Sequence, residues 1–134
     1  MKKVYEIDGS KFDSLEAFYD HIGEVLIPDF EWGRNLDAFN DILRGGFGTP
    51  DEGFVVRWKN SDRSRLELGY PETVRYIEHK LARCHPDNRE SVKADLLLAR
   101  QGKGQTLFEI LTDIIRDHGP GGRQAEDAVE LVLS

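Results

Sequence analysis

The chain has 134 residues, 39% of them hydrophobic and 10% aromatic. That is long enough to bury one domain's core and too apolar and aromatic for a disordered segment. Its formal net charge of −7 argues against nucleic acid or an anionic membrane as a partner and favours a basic one, since opposite fields speed encounter. A single cysteine, Cys84, excludes an internal disulfide.

In chain order, Val4–Ile7 predicts a short strand, followed by a turn at DGSKFDS. Glu6 and Asp8 stand where a secretion signal would need its apolar stretch. Neither a signal nor a membrane span is therefore expected, and the expected compartment is a reducing cytoplasm. Leu15, Phe18, Ile22, Val25 and Leu26 recur at helical spacing. Asp13 or Ser14 would cap that helix, with Asp13 and Glu16 spaced as a capping box, and Pro28 marks its end. After the loop PDFEWGR, Asn35 predicts the start of a second helix and Gly45–Gly46 its end. The apolar run Phe54–Trp58 predicts a strand covered on both faces. SDRSRLEL predicts a short helix.

Residues 69–104 read as a helical hairpin. Val74, Ile77 and Leu81 form one stripe, Val92, Leu96 and Ala99 the other, and CHPDN divides them. Leu107, Ile110, Leu111, Ile114 and His118 mark a last helix. Its second strip, Phe108 and Ile115, is expected to dock the hairpin. GPGG breaks the chain, and DAVELVLS predicts a terminal strand. Strands alternating with helices imply one α/β domain, residues 1–134, built on a small parallel sheet. The hairpin carries seven Lys/Arg against five Asp/Glu, a net +2, which leaves −9 on the rest of the chain.

The second helix divides cleanly. Leu36, Ala38, Phe39, Ile42 and Leu43 fall on one side, Asp37, Asn40, Asp41 and Arg44 on the other. Core packing does not account for two aspartates at i,i+4, a spacing that costs roughly 0.2–0.5 kcal/mol between like charges. An ordinary solvated face, with Arg34 paired to Asp37 and Arg44 to Asp41, is one reading; such pairs contribute about 0–1 kcal/mol. The other is a docking surface for a cation-rich site, helped by the neighbouring aromatics Phe30 and Trp32.

Gly33, Asn35, Leu36, Asp37, Ala38, Asp41 and Leu43 form the pattern G-x-N-L-D-A-x-x-D-x-L. With its flanking elements, this resembles the barstar family of intracellular ribonuclease inhibitors. The resemblance covers residues 1–68 and about 105–134; the hairpin at 69–104 reads as an insertion. It implies a three-stranded parallel sheet flanked by helices, and binding that blocks the active site of a basic, secreted, barnase-like ribonuclease. It implies that Asp41 enters the cationic site where substrate phosphate would bind and that Asp37 makes a second contact. Trp32 and Gly33, with Glu31 and Arg34, form the contact loop; Asn40 and Arg44 flank it on the helix. A further acid on the last helix aligns with Asp113, Asp117 being the alternative. Glu31 and Asn40 depart from the family, which often has aromatics there.

Other signals carry less. His79, Cys84 and His85 lack the ligand set of a zinc site, and Gly119–Gly122 follows a helix where a phosphate loop follows a strand. No cofactor, metal or enzymatic activity is expected. The reading is a cytoplasmic immunity protein or antitoxin acting by occlusion. The alternative is a barstar-fold module that binds a different partner or self-associates through the hairpin, Phe108 and Ile115.

Overall fold

The computed structural model describes residues 2–134. Three strands, β1 (Lys3–Asp8), β2 (Phe54–Lys59) and β3 (Val129–Leu133), form a parallel sheet in the order β1-β2-β3. Two helices, α1 (Leu15–Leu26) and α2 (Leu36–Arg44), cross from β1 to β2. Four more, α3 (Ser61–Glu67), α4 (Tyr70–Arg83), α5 (Arg89–Arg100) and α6 (Leu107–Asp117), cross from β2 to β3. This is the expected α/β architecture. Among the described residues no helix is long and apolar enough to cross a membrane.

The sheet is covered on one face, which corrects the two-sided reading of β2. In β2, Phe54, Val56 and Trp58 are buried while Arg57 is exposed; in β1, Tyr5 and Ile7 are buried while Val4 and Glu6 are exposed. Period-2 alternation is the mark of a half-covered strand, and Arg57 was the residue that disclosed it. On the open face, the register sets Glu6 beside Arg57, and the two side chains approach to 3.5 Å.

Trp58 organises the covered face. It is fully buried, stacks on Phe18 at 5.5 Å and meets Phe108 edge-on at 5.2 Å. Its indole N–H donates to Ser64 Oγ at 2.9 Å, so the ring's polar atom is satisfied. Phe108 and Ile115 are both fully buried in this core. They are therefore not available for self-association. On α6 the buried stripe takes in Leu107, Phe108, Leu111, Thr112 and Ile115, while Glu109, Asp113 and Arg116 are exposed.

Helix α1 is capped by Ser14, whose Oγ accepts from the Ala17 N–H. The expected Asp13–Glu16 box does not form, since Glu16 pairs with Arg75 of α4. A true box stands at α6, where Thr106 Oγ1 accepts from the Glu109 N–H and Glu109 Oε1 accepts from the Thr106 N–H. The hairpin forms as expected, with Ile77, Val92, Leu96 and Ala99 as its own small core. Its first arm is tied to the body by hydrogen bonds. Glu72 accepts from the Leu15 N–H at 2.8 Å, and Thr73 Oγ1 accepts from the Leu107 N–H at 2.8 Å. Each thereby satisfies a helix-terminal donor that has no partner within its own helix.

Candidate partner-binding site

Helix α2 forms because Asn35 Oδ1 accepts from the Ala38 N–H at 2.8 Å, and because Phe39, Ile42 and Leu43 anchor one side in the core. The opposite side carries Asp37 and Asp41 into solvent. Arg44 Nη1 lies 3.4 Å from Asp41 Oδ1, a loose pair in which both side chains stay more than half exposed. The expected Arg34–Asp37 pair does not form. Arg34 adopts a left-handed backbone (φ 53°) and pairs with Asp20 of α1. Asp37 is left without a cationic partner among the described residues. Its charge is felt by Tyr76 of α4, whose hydroxyl is held above its ordinary value first by burial and then by Asp37.

The loop before α2 is pinned by aromatic packing. Trp32 is half-buried, meeting Tyr19 edge-on at 5.5 Å over Gly23 of α1. Phe30 is 48% exposed and meets Phe47 edge-on at 5.9 Å. Glu31 and Gly33 are exposed. Between α1 and this loop runs a cleft of about 600 Å³ whose rim carries Asp20, Glu24 and Glu31. The arrangement suits cationic or aromatic side chains better than anions.

Asp113 is exposed on α6 and accepts from Gln105 Nε2. One turn on, Asp117 is held at 2.7 Å by Arg123, whose hydrogen bond keeps its carboxyl below the usual range. Both line a cleft of about 540 Å³ against the Pro120–Arg123 loop. The α2 and α6 faces are joined through this loop. Arg44 Nε donates to Gln124 Oε1 at 2.8 Å, and the Gln124 N–H donates to the Asp117 carbonyl at 2.8 Å.

Asn40 differs from its neighbours on α2. It is half-buried and points inward, its Oδ1 lying 2.7 Å from His118 Nε2. The solvated reading of this position is therefore corrected. The sequence marked His118 as a member of an apolar stripe and missed its partners Asn40 and Asp127. The available signal was that a histidine on a core-facing stripe must find hydrogen-bond partners.

Comparison with known proteins places this geometry. The family model described as Barstar (barnase inhibitor) matches residues 2–94, from β1 through α4 into α5. The chain is also similar to a Bacillus subtilis (strain 168) protein named "Putative ribonuclease inhibitor YrdF", at 37% identity over 70 residues. That match covers 52% of this chain and 71% of the relative.

Proposed function

The chain belongs to the barstar (barnase inhibitor) family, and from that premise we propose that it is a cytoplasmic inhibitor of a basic ribonuclease, an immunity protein acting by occlusion. The observation that carries this reading is the α2 face. Asp37 and Asp41 stand exposed on a helix whose other side is locked into the core, and Asp37 has no cation of its own among the described residues. Asp41 fills the site of a substrate phosphate, Asp37 flanks it, and the Glu31–Arg34 loop with Trp32 and Gly33 meets the rim. Asp113 adds a contact from α6. Carboxylates held on a rigid helix offer charge-assisted bonds to arginine and lysine without reordering.

The test is a titration of a barnase-type ribonuclease, following RNA cleavage at low and moderate salt. Stoichiometric inhibition is expected, with association slowing as salt rises, since screening shortens the reach of the acidic field. Absence of inhibition, or a salt-independent association rate, would contradict the reading.

A second reading draws on α5, where Leu97 and Leu98 are 58% and 43% exposed. It has the hairpin mediating self-association. Sedimentation at rising concentration tests it: a monomer throughout rules it out, and a dimer lost in Leu97→Asp supports it.

A further inference from the structure

We infer that Asn40, His118 and Asp127 form one latch that sets the orientation of α2, so that Asn40 is a positioning residue of the binding face and not a contact on it. This rests on the reading of α2 as the ribonuclease-binding helix.

His118 is fully buried at the end of α6, and both ring nitrogens are engaged. Nδ1 lies 2.6 Å from Asp127 Oδ2 and Nε2 lies 2.7 Å from Asn40 Oδ1. Its backbone carbonyl accepts from the Val129 N–H at 2.8 Å, at the start of β3. The next residue is Gly119, where a Cβ would collide with the Val129 carbonyl oxygen; the close approach of the two segments needs glycine there. One imidazole thus joins the inhibitory helix, α6 and the lead into the terminal strand.

The remaining anchors of α2 are the buried Phe39, Ile42 and Leu43 and, at its end, the exposed Arg44–Gln124 hydrogen bond. Close packing of the buried side chains sets which side of α2 faces the core. A hydrogen bond is directional and adds an angular constraint on the helix's rotation. Side chains extend about 5–6 Å from a helix axis, so a turn of about 10° moves a carboxylate by about 1 Å. Asn40 precedes Asp41 directly and follows Asp37 by three residues, so whatever rotates Asn40 rotates both acids.

The residue type suits the task. An ionised Asp127 only accepts, so Nδ1 must donate to it. Nε2 then either donates or accepts. An asparagine amide, turned one way or the other, satisfies both forms. An aspartate would satisfy one of them and leucine neither.

The test is a double-mutant cycle on the full chain with Asn40→Ala and His118→Gln. Asp127→Ala serves as a second way to open the latch without altering a fully buried position. Two readouts are taken: inhibition of a barnase-type ribonuclease, and amide hydrogen exchange of α2 in the free protein. Each single variant should weaken inhibition about tenfold or more, the scale on which catalytic and binding constellations respond to small misplacement. The double variant should be no weaker than the worse single, because both open the same latch. Exchange in α2 should quicken in every latch variant and stay at the wild-type rate in Asp41→Asn. Effects that multiply in the double variant would overturn the proposal and make Asn40 a direct contact. So would α2 exchange that Asn40→Ala leaves unchanged. If the wild-type chain fails to inhibit, the ribonuclease reading falls, while the exchange data still decide whether the latch exists.

Discussion

The domain holds two apolar cores of very different standing. The main core collects aromatic and aliphatic side chains from the sheet and from α1, α2 and α6, with Leu68 just past α3, centred on Trp58. The hairpin core has four buried residues, Ile77, Val92, Leu96 and Ala99, and α5 packs chiefly on α4, with Leu97 and Leu98 facing water. The proposed acidic binding face belongs to the first region and the excess of cations to the second. Neither core needs Asp37 or Asp41.

The largest effect expected is on the main core. Trp58→Ala should destabilise the whole domain by about 3–5 kcal/mol, the range for truncating a buried aromatic. It removes the rings' shared neighbour and leaves Ser64 Oγ without its donor. Chemical denaturation followed by fluorescence measures it, and a loss under 1 kcal/mol would remove Trp58 from its central place.

Leu96→Ala comes next, at about 2 kcal/mol, the low end for leucine because the site is small and can partly collapse. Its signature is local. Amide exchange in α5 should accelerate while β1, β2 and α1 keep their protection. Uniform acceleration would mean that the two cores melt as one unit and that the contrast drawn here is false.

A pH effect is expected at His21 in the main core and at Asp8 beside it. His21 is 9% exposed, and its Nε2 accepts from the Asp8 N–H at 2.9 Å, so it is held neutral. Burial, followed by the charge of Lys11, sets its proton affinity below the ordinary histidine value. The unfolded chain therefore binds the proton more readily than the folded one. This contribution is full above about pH 6.5 and is lost as the pH falls toward the folded value. Asp8 acts further down: hydrogen bonds from Asn60 and Ser10 keep its carboxyl ionised well below the usual range. Its contribution is present above about pH 4 and lost on stronger acidification. Denaturation midpoints of wild type and His21→Gln should converge as the pH falls from 8 to 5. Parallel curves would contradict the assignment.

The smallest structural effect is at the cap. Asn35→Ala removes the acceptor for the Ala38 N–H and should cost about 1 kcal/mol. It is measured by the same denaturation curves and should leave the hairpin's exchange unchanged.

Much of this was legible in the sequence, for identifiable reasons. Helix α2 showed itself through Asn35, its two-sided composition and Gly45, because local capping and periodicity agree there. The hairpin was equally readable from its two stripes. The capping box was misplaced because Glu16 is drawn away by Arg75 on α4, a tertiary pairing that no local pattern reveals. That Phe108 and Ile115 of α6 are wholly buried could not be read from their spacing, which is the same for a core and for a hairpin seam. Of the proposed binding residues, the exposed Asp37 and Asp41 could be read directly. The inward turn of Asn40 could not, since it depends on His118 and Asp127, 78 residues and more away along the chain.

The central claim is that the aspartates of α2 are kept exposed for a partner and not for the fold. Asp41→Asn tests it most directly, because it removes one charge at nearly constant shape. The unfolding midpoint should move by no more than about 0.5 kcal/mol, as for a loose exposed pair. Inhibition of a barnase-type ribonuclease should weaken by about 2–5 kcal/mol, the usual cost when a desolvated charge pair loses one member. A variant that inhibits as well as the wild type, or that loses inhibition only because it unfolds, would contradict the account.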